Sequence, residues 1–246
     1  MDLGKLKEAE LVIKKALKIN PNYSIGYSNL GNILEEIGKL NEAEIATRKA
    51  IKIDPNNAEA HYNLSNILLK MKNFMEGWNE YEWRWRVTKI SFTIGTKLCS
   101  QKKEWSPQDR GRVLLWGEQG LGDEIMFLSL VPDFINYIDE LIIKTDKRLF
   151  PLLKRTLGEE NIRYVDKKEE LDESNYDFHI AMGSLPKYLR SSLKSFHNAK
   201  QLILKVDQTK SKQFRDQLLD NRFNKIIGIS WKSESKSRKN KSLSLE

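Results

Sequence analysis

The residues whose types and order could do chemistry lie in one short run, Gly117-Glu118-Gln119-Gly120-Leu121-Gly122-Asp123-Glu124. It sits between the apolar Arg112-Val113-Leu114-Leu115-Trp116 and the helical Ile125-Met126-Phe127-Leu128. It therefore reads as a loop joining a strand to a helix. Three glycines there let a backbone come close to a phosphate or a sugar. The spacing is G-x-x-G-x-G, not the G-x-G-x-x-G of dinucleotide sites, and Asp123 stands where a phosphate loop needs lysine. Two roles stay open for Asp123. Its carboxylate can cap free N–H groups at the helix start, worth about 0.5–2 kcal/mol, or it can act as general base on an attacking hydroxyl at the mouth of a cleft. The single cysteine, Cys99, and three separated histidines, His61, His179 and His197, form no cluster with metal-ligand spacing. No metal site and no cofactor are expected, and the histidines read as packing or surface residues.

The elements that must position this loop alternate between strand and helix from about residue 107 onward. Strands are expected at 112–117, Leu141–Lys144, Ile162–Val165, Tyr176–Ala181 and Lys225–Trp231, with helices from about 122, over 148–157 and over 208–220. That alternation predicts a parallel, doubly wound sheet, in which ligands bind beyond the carboxyl ends of the strands. Residues 91–106 mix Ser, Thr, Lys and Gln without a sustained period and read as a linker.

Ahead of the linker the chain repeats itself. Gly4, Ala9, Ala16 and Pro21 recur as Gly38, Ala43, Ala50 and Pro55, each displaced by 34 residues. Small residues at these places let paired helices approach, and the Asn-Pro or Asp-Pro step ends one hairpin before the next. The period and the placement of Tyr27, Leu30, Gly31, Leu34, Ala43, Ala50 and Pro55 resemble the tetratricopeptide repeat. On that resemblance residues 1–90 divide into a half repeat (1–23, with Gly4 in the inter-helix turn), a full repeat (24–57) and a modified repeat (58–90). In the last, Gly77, Arg84 and Lys89 replace the expected Ala, Ala and Pro. Its second helix carries Trp78, Tyr81 and Trp85 at i, i+3 and i+7, an aromatic stripe expected to pack against the following domain. Asn29, Asn32, Asn63 and Asn66 recur at the same offset on first helices, either as solvent-facing polar positions or as the polar lining of a peptide groove.

Composition narrows the function classes. With 246 residues, 39% hydrophobic, 31% charged and six Trp, the chain is a folded protein of one large or two modest domains. Of the net +8, the last 22 residues hold +4 (six Lys or Arg against two Glu). The rest shows no basic stripe with interleaved aromatics, so nucleic acid is not an expected partner. No run of 18 apolar residues and no signal-peptide order occurs, so a cytoplasmic protein with no membrane span is expected.

Val113 to Ile125, together with Tyr81-Glu82-Trp83-Arg84-Trp85-Arg86, Ser184-Leu185-Pro186 and Ile227-Gly228-Ile229-Ser230-Trp231, resembles bacterial proteins in which tetratricopeptide repeats precede a glycosyltransferase domain related to the ADP-heptose lipopolysaccharide heptosyltransferases. The resemblance implies an α + α/β chain: a tetratricopeptide α-hairpin array, then a Rossmann-like parallel-sheet domain over 107–224. That domain would be the N-terminal half of a GT-B fold, with a second, truncated Rossmann-like domain opening at 225–246. It implies inverting, metal-independent transfer of a sugar from a nucleotide-sugar donor to a glycan or protein hydroxyl. Asp123 would be the base, Gly120 and Gly122 the points of backbone approach, Glu118 and Gln119 acceptor contacts, and Lys241 a donor-phosphate contact, with Lys232 and Arg238 as further basic candidates. With most of a donor domain missing, the fragment is expected to be inactive by itself. The alternative is a non-catalytic module that binds a peptide or protein on its repeats.

Overall fold

A computed structural model describes residues 3–87, 96–200, 202 and 204–219. Leu3–Leu204 form one compact unit and the residues from Lys205 onward belong to another. The first unit opens with five helices, α1 (Leu3–Ile19), α2 (Ser24–Ile37), α3 (Leu40–Ile53), α4 (Ala58–Lys70) and α5 (Phe74–Tyr81). Gly4, expected in the inter-helix turn, lies instead in the first turn of α1.

The 34-residue period follows from close helix contact. A Cβ on Gly31 would fall 2.0 Å from Thr47 Oγ1, and one on Gly77 would fall 2.9 Å from the Leu69 side chain. So α2 meets α3, and α4 meets α5, at distances only glycine permits. Gly77 thus serves in the third unit where alanine serves elsewhere. Gly38, at φ +88°, ends α2 in the left-handed conformation that glycine adopts without strain. Successive units are joined by Asn57, which caps α4 by accepting the Ala60 N–H (3.0 Å) and donates to Ser24 Oγ (2.8 Å). After Tyr81 the helix tightens into a 3-10 turn, Glu82–Arg86, which turns the end of the array toward the sheet.

The sheet has five parallel strands, β1 (Lys103–Glu104), β2 (Arg112–Trp116), β3 (Glu140–Thr145), β4 (Ile162–Asp166) and β5 (Phe178–Ala181), in the order β1-β5-β2-β3-β4. Helices α6 (Leu121–Leu128), α7 (Val131–Phe134), α8 (Phe150–Leu157), α9 (Pro186–Leu189) and α10 (Leu193–His197) complete this unit. Val113, Leu115, Leu141, Ile143 and Ile180 bury one sheet face against α6–α9. Leu114, Trp116, Ile142, Val165 and Ala181 bury the other with Trp85, Leu98 and Leu171. Burial on both faces explains why β2 is apolar without alternation. The sheet domain starts earlier than residue 107. The expected linker 91–106 contains β1 and the fully buried Trp105, which meets Phe134 edge-on at 4.8 Å. A two-residue edge strand is too short to show a period. In the other unit, α11 (Gln208–Leu218) is capped by Asp207, which accepts the Lys210 N–H at 3.1 Å. The expected strand Lys225–Trp231 and the tail 225–246 lie outside the described residues. Among those residues no helix is long and apolar enough to cross a membrane.

Candidate functional site

The chain runs β2 to β3 to β4 on one side and returns to β5 on the other side of β2. The strand order therefore reverses between β2 and β5, and the crevice beyond their carboxyl ends is where ligands of such sheets bind. Here the protein's own repeats fill it. Arg84, on the 3-10 turn, is fully buried and donates through Nη2 to Ser184 Oγ (2.8 Å) after β5 and to Glu118 Oε1 (3.3 Å) after β2. Its Nη1 donates to Glu82 Oε1 (2.6 Å), and its guanidinium lies 4.3 Å from the centre of the Trp85 ring. Glu118 Oε1 also accepts the Gly183 N–H at 3.0 Å, and a Cβ on Gly183 would fall 2.4 Å from that oxygen. Arg84 Nε, Trp85 Nε1 and Glu118 Oε2 have no hydrogen-bond partner among the described residues. The Ser-Leu-Pro turn is thus a socket: Ser184 also donates to Glu82 Oε2 at 3.0 Å.

The aromatic stripe packs on the sheet domain along its length. Trp78 Nε1 donates to the Arg190 carbonyl (2.9 Å), Tyr81 Oη accepts from Gln119 Nε2 (2.9 Å), and Trp85 stacks obliquely on Trp116 at 5.5 Å. Burial pushes the Tyr81 phenol well above its usual range.

The loop residues then separate by environment. Glu118 faces inward, 3% exposed, with Oε1 committed to Arg84, Gly183 and Gln119, which leaves no open face for an acceptor. Gln119 bridges to Tyr81 and is half-buried. Gly120 precedes α6 and its absent Cβ would stand 3.5 Å from Asp123 Oδ2; around Gly122 nothing lies within 4 Å. Asp123 is exposed in the first turn of α6, where the helix dipole favours a carboxylate. It lies within electrostatic reach of Tyr62 on α4. Burial raises that phenol's pKa, the Asn66 side-chain hydrogen bond and the Arg84 charge oppose the rise, and the Asp123 and Glu35 charges add to it. The Tyr62 ring is 5.8 Å from that of Tyr81. Gln119, Tyr81, Tyr62 and Asn66 therefore form one chain of contacts from the loop to the repeat helix α4. Lys241, Lys232 and Arg238 lie outside the described residues.

Several working residues escape the sequence. Glu124, beside Asp123, is 2% exposed, accepts from Thr145 Oγ1 and pairs with Lys167 Nζ (2.8 Å). Lys167 also donates to the Gln119 carbonyl at 3.1 Å. A Cβ on Gly117 would meet the Glu124 carboxyl at 2.5 Å, so this glycine makes room for a side chain rather than for a ligand. The signal was the i, i+3, i+4 set Glu124, Phe127 and Leu128, one buried face of α6. Arg84 announced itself only as a charge where the repeat expects alanine. His61, buried, stacks face to face on Trp83 at 3.8 Å, with Nδ1 2.5 Å from Glu80 Oε2 and Nε2 3.0 Å from the Pro55 carbonyl. His179 is buried between strands and accepts from Trp116 Nε1 at 3.4 Å.

Two family models match, one described as TPR repeat over residues 31–72 and one as tetratricopeptide repeat over residues 12–45. A curated relative, Protein FlbA of Caulobacter vibrioides, is 27% identical over 176 residues, which is 64% of this chain; the chain spans 28% of that relative's length. Among solved structures the chain is similar to YrrB, described as a TPR protein with an unusual peptide-binding site (27% identity, 30% of this chain and 38% of that one, TM-score 0.29). It is also similar to the TPR2B domain of yeast Sti1 in a complex with pHsp70 (22% identity, 36% and 70%, TM-score 0.32) and to MamA (24% identity, 35% and 51%, TM-score 0.32). The helices spanning residues 12–72 are tetratricopeptide repeats, and the 3-10 turn Glu82–Arg86, which follows α5, is built into a parallel-sheet domain.

Proposed function

We propose that this protein recognises an extended polypeptide on its repeats and presents it to the Gly117–Glu124 loop of the sheet domain. One observation carries this: the repeats end in a buried, hydrogen-bonded junction with the loop, Arg84 on Glu118 and Gln119 on Tyr81, whose ring is 5.8 Å from that of Tyr62 on α4, so the repeat helices and the loop that carries Asp123 are held in a fixed relation. The asparagines divide the work. Asn63 donates to Ser28 Oγ (3.1 Å) and ties adjacent repeats together, while Asn29 and Asn32 are exposed and free to bond a peptide backbone. Peptides selected from a random display library against the whole chain are the probe. Asn32→Ala, Asn66→Ala and Tyr62→Phe should each weaken a selected peptide by roughly 2- to 12-fold, the size of one lost hydrogen bond. Selected peptides that ignore all three substitutions would refute the proposal.

Sugar transfer is the second function we propose, supported by the resemblance of the loop, the parallel sheet and the exposed Asp123. A hydroxyl on the presented peptide, or on a glycan, would be the acceptor and a nucleotide-sugar the donor, with Asp123 as base in an inverting, metal-independent step. The donor half would lie in sequence beyond the sheet domain. With the selected peptide as acceptor and a panel of nucleotide-sugars, loss of about 100-fold on Asp123→Asn supports transfer. No turnover by the native chain extended through a complete second domain leaves peptide recognition alone. We place this activity in a reducing, cytoplasmic setting, where the exposed Cys99 stays a free thiol.

A further inference from the structure

A second surface lies between α5, α6–α7 and α9–α10. Trp78, Met126, Phe127, Leu130, Pro186 and Phe196 line an apolar hollow of about 390 Å3. That is the low end of the range for small-molecule sites, roughly 300–1,000 Å3, and suits one or two apolar side chains. Its wall is not closed over: Met126 is 55% exposed and Phe196 is 40% exposed, and Leu193 nearby in α10 is 49% exposed. Phe196 is braced by Phe74 of α5 at 4.5 Å, so the hollow includes the repeats as well as the sheet domain.

Charge says what fits there. Arg190 and Lys200 line the hollow and, among the described residues, no carboxylate does. Residues 186–200, which supply Pro186, Arg190, Phe196, Ala199 and Lys200 to this wall, hold Lys187, Arg190, Lys194 and Lys200 and not one Asp or Glu. The neighbouring acid, Asp133, and the buried Arg190 neutralise one another: Oδ2 accepts from Arg190 Nη2 at 2.6 Å, and Oδ1 accepts the Lys200 backbone N–H at 3.2 Å, so the exposed ammonium groups of Lys194 and Lys200 are the cations this rim offers.

We propose that this hollow is a docking site for an acidic amphipathic helix of a partner protein, which seats one or two large apolar side chains against Trp78 and Met126 and sets its carboxylates against Lys194 and Lys200. Apolar anchors in a pocket with a charged rim are the usual economy of such grooves. This site is separate from the Asp123 surface and does not depend on what the repeat groove binds.

The test uses the whole chain and two fluorescein-labelled 20-residue peptides. Both carry Leu or Phe at i, i+3, i+4 and i+7; one has Glu and the other Lys at its polar positions. Anisotropy titrations should show the acidic peptide bound at least about tenfold tighter than the basic one, with the gap shrinking as salt rises. Met126→Glu, on an exposed helical position, should weaken the acidic peptide at least about tenfold, and so should Lys194→Glu with Lys200→Glu. Asn32→Ala should leave it unchanged. Equal binding of the two peptides, or binding that ignores Met126→Glu, overturns the proposal. So does self-association of the unliganded protein that Met126→Glu abolishes, which would assign the hollow to a second copy. Displacement of the peptide by an apolar dye with no effect of the lysine reversals would assign it to a small apolar ligand, and overturns it as well.

Discussion

Arg84 is where the repeats and the sheet become one structure, and replacing it with Met separates the charge from the packing. Methionine keeps an unbranched apolar stem against Trp85 and Tyr81 but deletes the guanidinium. Arg84 and Glu118 side chains are 0% and 1% exposed, so the Glu118 carboxylate would remain in the crevice with only the Gly183 N–H and the Gln119 amide, both neutral. Stranding one charge of a buried pair costs about 3–5 kcal/mol. At about 2–4 °C per kcal/mol for a unit of this size, the melting temperature should fall by roughly 6–20 °C. Glu118→Gln added to Arg84→Met removes the stranded charge and should recover at least about 2 kcal/mol, a coupling in the range found for residues in contact. Urea unfolding measures both, followed by tryptophan fluorescence and by far-ultraviolet circular dichroism. In the native protein the two probes should coincide; in Arg84→Met they should diverge, because the repeats and the sheet lose their shared core. Loss of less than about 1 kcal/mol in Arg84→Met, the scale of an exposed pair, with no recovery in the double variant, would refute the assignment of a buried junction.

Two further outcomes test other parts of the loop and sheet. Gly117→Ala places a methyl group 2.5 Å from the Glu124 carboxyl, which Thr145 and Lys167 hold in place; it should cost about 1–3 kcal/mol by overpacking. Gly122→Ala, five residues on, with nothing within 4 Å, should instead stabilise α6 by about 0.5–1 kcal/mol, and thermal unfolding distinguishes the signs. Burial holds the His179 pKa below its ordinary value of 6.5. The native state then binds fewer protons than the unfolded chain, so this contribution is full above pH 6.5 and is lost as pH falls below it toward the native value. His179→Gln should flatten the stability profile on the acid side of pH 6.5, relative to the native protein.

The repeat was legible because its cause is periodic. Helix contacts that tolerate only a small residue, Ala9, Ala43 and Gly77 at one place and Ala16 and Ala50 at another, must recur with the hairpin, and the same offset appears in the letters. Strands β2, β3 and β4 fall within a residue or two of their expected places, because buried parallel strands are short apolar runs with turn residues at their ends. The stripe Trp78, Tyr81 and Trp85 likewise implied a partner for the last repeat helix, and the sheet domain is that partner. Strand β1 and Trp105 were hidden in a polar stretch whose two paired residues carry no pattern. The N-cap of α6 is Gly120 and no side-chain cap bond is made there, so Asp123 is favoured by the helix dipole in the first turn, and its role as base belongs to the proposed chemistry.

By itself the sequence determined the local structure: the hairpins, the strands, the glycine-rich loop and the aromatic face, all set by periodicity and backbone preference over a few neighbouring residues. Only the tertiary structure decided which acids of that loop face water. Glu118 and Glu124 are buried because Arg84, Gly183, Thr145 and Lys167, from elements 21 to 65 residues away, supply the charge and hydrogen bonds that make burial affordable. Asp123 stays in solvent because it lies off the face of α6 made by Glu124, Phe127 and Leu128, the face that packing between distant segments buries.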